Sequence, residues 1–187
     1  MKPIIDLTNL ASIVLILSER DEFNAAQELL KHCEHLTRAE VDIQIYSPPF
    51  TWAGLSRMLH PSIQTLTHLR LKTILYDESG TGDPLSGLDA ELEQFRHQNQ
   101  IEDIAIRVSI ETDTECNRGE WGRLDEELTR SGWPKLKSVS LSIVIWSYIW
   151  EGNDLKLALK KLPETQFPKL SSSKSVVFEF EVINEIV

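Results

Sequence analysis

Cysteine is nearly absent: Cys33 and Cys116 are the two in 187 residues. Two cysteines by themselves make neither a disulfide framework nor a zinc site. Cys33 falls where a helix would point it inward, so a buried free thiol in a reducing compartment is expected. Basic residues are in deficit, 19 lysines and arginines against 29 acidic residues, for a formal net charge of −10. A nucleic-acid binder of this size concentrates cations on one face. The nearest approach here is Lys156, Lys160, Lys161, Lys169 and Lys174, which acidic residues surround, so it reads as a solvated face and no nucleic-acid partner is expected. Glycine and proline are scarce, eight of each, and 41% of the chain is apolar, which argues against disorder. No apolar run is long enough to span a bilayer, so no membrane partner is expected. The segment "LASIVLIL" at 10–17 is like the apolar part of a signal peptide. However, Asp6, Thr8 and Asn9 interrupt the approach, and "SERDEF" follows in place of a small-residue cleavage site. An intracellular protein, cytoplasmic or nuclear, is the expectation.

What the chain does have is a recurring phrase. "WPKLKSVSLSIVI" at 133–145 and "FPKLSSSKSVVFEFEV" at 167–182 both set aromatic-Pro-Lys-Leu before an alternating apolar run. Related phrases begin at Leu7, Leu36, Leu66, Ile101, Leu136 and Leu170, at spacings of 29, 30, 35, 35 and 34 residues. A period in this range marks a stacked repeat array. Proline cannot continue a helix, so Pro-Lys-Leu is expected to mark a turn from helix into strand, with the leucine re-entering the core.

Each phrase alternates with period two, the mark of a strand with one buried face. Ala39, Val41, Ile43 and Ile45 share one side, as do Leu69, Leu71 and Leu75. So do Ile104, Ile106, Val108 and Ile110, and Val139, Leu141, Ile143 and Ile145. The first and last units fit with a one-residue slip. Between strands the period becomes helical. Phe23, Ala26, Leu30 and Cys33 share a face, as do Trp52, Leu55 and Leu59; Leu85, Leu88, Leu92 and Phe95; Trp121, Leu124 and Leu128; and Leu155, Ala158, Leu159 and Leu162. Asp83-Pro84 reads as an N-cap with proline in the first turn, while Gly132 and Pro163 read as helix ends.

Residues 1–187 therefore form a single α/β repeat domain, with units starting near 7, 36, 66, 101, 136 and 170. A doubly wound sheet would make its strands nearly continuous apolar runs, and a closed barrel would pack both faces. Instead the alternate slots hold Glu40, Asp42, Arg70, Lys72 and Arg107. The expected form is a right-handed α/β solenoid, with about six parallel strands on the concave side and five helices on the convex side. The first strand puts Val14 and Ile16 on the face that other strands make polar. A homodimer, an N-terminal partner or a further N-terminal segment is expected to cover it.

The phrases Trp133-Pro134-Lys135-Leu136, Phe167-Pro168-Lys169-Leu170, "LLKHCEHLTRAEV" at 29–41 and "LHPSIQTLTHLRL" at 59–71 carry a resemblance. The chain resembles the irregular leucine-rich-repeat regions of fungal, specifically basidiomycete, F-box proteins along nearly its whole length. The strict asparagine ladder of regular leucine-rich repeats is missing, and so is an F-box segment. The resemblance implies the substrate-recognition part of a ubiquitin ligase subunit, and it assigns no adaptor-docking role to any residue here.

Catalytic motifs are missing too. "SGTGDPLSG" at 79–87 lacks the Lys-Ser/Thr that a phosphate loop needs. His32, His35, His60, His68 and His97 have no metal-ligand spacing. No cofactor and no metal are expected, and the chain reads as a non-enzymatic protein–protein interaction module. The candidate partner-binding residues lie on the concave face, at Glu40, Asp42, Arg70, Lys72 and Arg107, and at the carboxyl-end rim, at Tyr46, Tyr76, Glu111, Trp146 and Tyr148. On the face, Glu40 is expected beside Arg70 and Asp42 beside Lys72, with Arg107 one strand further. Such charges set partner choice and on-rate, or satisfy one another across strands. A protein or peptide ligand on this face is the expected partner. Two alternatives stand: a small α/β hydrolase-like enzyme pairing Glu111 with Asp77 or Asp113, and an orphan repeat fragment without a selected partner.

Overall fold

Strict alternation of apolar and polar residues in the central strands decides the layering. The computed structural model describes residues 7–44, 51–75, 82–110, 121–147 and 153–186. In chain order these hold β1 (Ser12–Leu17), α1 (Arg20–Leu30), β2 (Arg38–Ile43), α2 (Leu55–Leu59) with a 3-10 turn at His60–Ser62, β3 (His68–Leu75) and α3 (Leu88–Glu93). There follow β4 (Asp103–Ile110), α4 (Gly122–Thr129), β5 (Ser138–Ser147), α5 (Asn153–Leu159), α6 (Leu162–Thr165), α7 (Pro168–Ser171) and β6 (Val177–Ile186).

The strands form one open, all-parallel sheet in the order β1-β2-β3-β4-β5-β6. The register steps from Ile13 to Ala39, Leu69, Ile104, Val139 and Phe178, all of which face the helices. On this covered face Val41, Ile43, Leu71, Ile106, Val108, Leu141 and Ile143 are buried. Each fully buried aliphatic side chain of this kind stabilises the fold by roughly 1.5–3 kcal/mol. Shortening one, as in Leu71→Ala, removes that and leaves a cavity, about 2–5 kcal/mol in all. Parallel strands need helical crossovers, and the helices pack side by side, α1 on α2, α2 on α3, α3 on α4 and α4 on α7. Their predicted apolar faces supply the rest of the core, including Phe23, Leu30, Cys33, Trp52, Leu55, Leu92, Phe95, Trp121, Leu128 and Leu159.

Neighbouring units are tied by hydrogen bonds that repeat along the chain. At the strand entrances, the amides of Thr37 and Arg38 donate to Ala11 O at 2.8 and 3.1 Å, and those of Thr67 and His68 to Thr37 O at 2.9 and 3.0 Å. The series continues with Glu102 and Asp103 to Thr67 O and with Lys137 and Ser138 to Glu102 O. Side chains then cap helices in neighbouring units. Glu91 accepts from the amides of Gly54 (3.0 Å) and Ser56 (2.7 Å) at the start of α2. Gln166 Oε1 accepts from the amide of Gly122 at the start of α4 (2.9 Å). The buried indoles find acceptors as well, Trp52 on Pro84 O and Trp121 on Asp83 Oδ1, both at 2.9 Å.

Several expectations need correction. The last connection holds α5, α6 and α7, so there are more helices than five. Asp83-Pro84 opens a turn, with Asp83 Oδ1 accepting from Leu85 N at 2.9 Å, and α3 starts only at Leu88. Pro163 lies in the first turn of α6, not at a helix end. Pro-Lys-Leu precedes β5 as expected at 134–136, but Pro168-Lys169-Leu170 is itself the helix α7. Both end strands are displaced by more than one residue from their phrases at Leu7 and Leu170, the last because α7 intervenes. Gly132 does follow a helix. Its φ is +121°, and a Cβ there would lie 3.0 Å from Arg96 Cβ, so only glycine fits without strain.

Candidate functional site

Among the described residues no helix lies on the second face of the sheet, and the register sets its side chains in rows. One row runs Ser12, Arg38, His68, Asp103, Ser138, Val177, the next Val14, Glu40, Arg70, Ala105, Ser140, Glu179, and the third Ile16, Asp42, Lys72, Arg107, Ser142, Glu181. All five candidate residues expected on this face are therefore on it. Of the rim candidates, Trp146 is described, while Tyr46, Tyr76, Glu111 and Tyr148 lie outside the described residues, as do Asp77, Asp113 and Cys116.

The charges pair differently from the simple cross-strand expectation. Glu40 does face Arg70, but at 4.0 Å; its close contact is Lys72 Nζ, one row along, at 2.5 Å. A lysine stem is long enough to reach diagonally across a parallel pair. Asp42, which the register sets opposite Lys72, instead accepts from Gln44 Nε2 at 3.2 Å. Arg107 reaches across β5 to Glu185 on β6 at 3.4 Å, and Glu185 also accepts from Trp146 Nε1 at 3.0 Å. Val144, on the same face between β4 and β6, is fully buried. Trp146 is thus anchored through its polar edge by a carboxylate that an arginine also holds.

A groove of about 390 Å³ opens on this face across the first three strands, lined by Ser12, Val14, Arg38, Glu40, His68 and Arg70 among others. A second hollow of about 660 Å³ lies at the amino ends of β5 and β6, between Trp133, Leu136, Val176 and the lysines 135, 137 and 169. Two of those lysines are engaged, Lys137 with Glu102 at 2.6 Å and Lys169 with Glu126 at 3.4 Å. The hydrogen bond and charge of Lys137 hold the Glu102 carboxyl below its ordinary value. A carboxyl shifted the other way is Glu127, buried in the helix layer beside Arg96 at 3.2 Å and pushed up chiefly by burial. Arg96 Nε and Glu127 Oε1 are close enough to attract but not aligned as a hydrogen bond. Burial also pushes the Cys33 thiol up.

Arg38, His68 and Glu185 were missed as candidates, although each continues an alternation already read: Arg38 precedes Glu40 by one pleat, His68 precedes Arg70, and Glu185 follows Glu179 and Glu181. The arrangement suits recognition by charge. His68, Asp103 and Ser138 occupy one row, but Ser138 donates to Asp103 while His68 Nδ1 pairs with Thr67 Oγ1 at 2.8 Å, so no proton relay links the three. Among the described residues no group of three or more His, Cys, Asp and Glu is placed to hold a metal, and no helix is long and apolar enough to cross a membrane.

No protein-family model, no curated protein and no solved structure matches this chain.

Proposed function

We propose that the protein is a non-enzymatic binding module of leucine-rich-repeat-like, right-handed solenoid form, whose open sheet face and carboxyl-end rim receive a protein or peptide inside the cell. The observation that carries this is a sheet face on which no helix lies among the described residues. A parallel sheet ordinarily has helices on both sides, whereas here one side presents registered rows containing Glu40, Asp42, Arg70, Lys72 and Arg107. Arg70, Arg107 and Glu185 keep 65%, 44% and 47% of their side chains exposed despite their ion pairs, so they remain available to a partner. Trp146, held by Glu185, supplies a rigid aromatic of the kind that anchors interfaces. By the resemblance to fungal F-box proteins, the receiving role is that of a substrate receptor in ubiquitin ligation.

The test is capture of partners from lysate by the wild type and by the triple reversal Arg70→Glu, Lys72→Glu, Arg107→Glu, both first shown to be folded by circular dichroism. Loss of a specific partner in the reversal alone supports the open face as the docking surface. Equal capture by both proteins would remove it.

A further inference from the structure

The charges on the open face are uneven along the sheet: β2 and β3 carry Arg38, Arg70 and Lys72 against Glu40 and Asp42, whereas β6 carries Glu179, Glu181 and Glu185 against Arg107 on β4. The β2–β3 half carries Arg38, Arg70 and Lys72, with Glu40 taken up by Lys72 at 2.5 Å and only loosely by Arg70 at 4.0 Å. Arg38 is exposed and no hydrogen bond or ion pair among the described residues engages its side chain. Arg38 and Arg70 line the groove of about 390 Å³ together with Glu40, in a chain whose net charge is −10. At the other end, Glu179 and Glu181 on β6 are exposed and equally unengaged. Their row neighbours on β5 are Ser140 and Ser142, which bring no compensating charge.

Resting on the docking role proposed above, we infer that the occupant of this face is an extended peptide with separated charges, its acidic end on Arg38 and Arg70 and its basic end on Glu179 and Glu181. Strand spacing sets its length. From β2 to β6 is four steps of about 4.8 Å, roughly 19 Å, which an extended chain at about 3.3 Å per residue crosses in about six residues. A peptide with both signs mixed along its length meets a like charge at each end. Electrostatic complementarity of this kind acts through partner selection and orientation.

The probe is a fluorescein-labelled peptide, Glu-Glu-Ser-Thr-Gly-Thr-Ser-Lys-Lys, set against one of identical composition with alternating charge, Glu-Ser-Lys-Thr-Gly-Thr-Glu-Ser-Lys. Binding is followed by fluorescence anisotropy at low and high salt. The segregated peptide should bind the tighter, and the difference should shrink as salt screens it. Reversing one half, by Arg38→Glu with Arg70→Glu or by Glu179→Lys with Glu181→Lys, should weaken it about fivefold, as two exposed ion pairs become repulsive. All four substitutions together should restore binding, because the peptide then lies the other way round. Indifference to charge order, or a fourfold variant as weak as its halves, overturns the inference while leaving a docking face. Binding by neither peptide to the wild type overturns it too, and the lysate capture then judges the docking role separately. All four positions are exposed, and circular dichroism checks each variant for folding.

Discussion

The carboxylate of Asp125 on α4 holds Lys169 at the head of α7. Its oxygens accept the amides of Lys169 at 3.1 Å and Leu170 at 2.8 Å, and the side chain is 2% exposed. One unit's helix thereby starts the helix of the next. Replacement by alanine strips the cap and leaves buried donors unpaired, so Asp125→Ala should lose about 2–3 kcal/mol of unfolding free energy in urea. Asp125→Asn keeps one carbonyl acceptor and should lose less. Asparagine fills the same volume, so equal losses would mean that both carboxylate oxygens are required, and no loss in either variant would mean that the cap contributes nothing.

Gly132 should tolerate no side chain. With φ at +121° and Arg96 Cβ 3.0 Å from the position of a new methyl, Gly132→Ala should destabilise the fold by about 1–3 kcal/mol. The same change loosens the turn whose carbonyl receives the His97 amide (2.8 Å) and Asn99 Nδ2 (3.1 Å). A thermal melt of wild type beside variant checks it.

Glu127 predicts a pH dependence. Its carboxyl is raised above the ordinary 4.5 by burial, with Arg96 pulling the other way. The folded chain then holds the proton more tightly than the unfolded one. The contribution is fully present below the unfolded value and is lost as pH rises through the folded one. The stability advantage of wild type over Glu127→Gln should accordingly fall on going from about pH 4 to about pH 7. Urea midpoints of the two proteins at several steps across that interval decide it. Glu102, lowered by Lys137, shifts stability in the opposite sense, but it does so in both proteins and cancels in the comparison.

Cys33 should be chemically silent in the folded chain. It is fully buried, and burial raises its thiol further from ionisation, whereas the thiolate is the reactive form. In a Cys116→Ser background, a thiol-reactive dye should leave the native protein unlabelled and label it on unfolding. Rapid native labelling would show that the α1 end of the core opens readily.

Val14 and Ile16 on the edge strand β1 are 60% and 59% exposed, on the open face. Replacing both by lysine should change stability by no more than about 0.5 kcal/mol. If a second copy covers this edge, light scattering will report a lower mass for the variant than for the wild type. A monomeric mass for the wild type removes the homodimer, and equal dimeric masses place its interface elsewhere.

The inward and outward sides of the central strands were legible because burial follows the pleat directly. Ala39, Val41 and Ile43 went in, and Glu40 and Asp42 came out, as alternation requires. The open face and its five charged candidates followed from that parity alone. Helix starts in the later units were not legible, because their caps come from far along the chain. Nothing near Pro168 announces that Asp125, more than forty residues earlier, will receive the amides of α7. The partner of Lys72 was missed for a related reason: register names the residue opposite, whereas a flexible side chain takes the better acceptor on the diagonal.

The straight strand order has a consequence for how such a face could change over generations. Every strand borders only its neighbours in the chain, so the face works as a ruler with divisions of about 4.8 Å. Deleting the unit that contributes β4 would bring Arg70 alongside Ser140 and Lys72 alongside Ser142, shortening the gap between the basic and acidic ends by one division. Duplicating a unit would lengthen it by the same amount. In neither case would a surviving row be re-aimed, so the length of peptide proposed to fit this face would drift in whole steps while the side chains proposed to recognise it stayed the same.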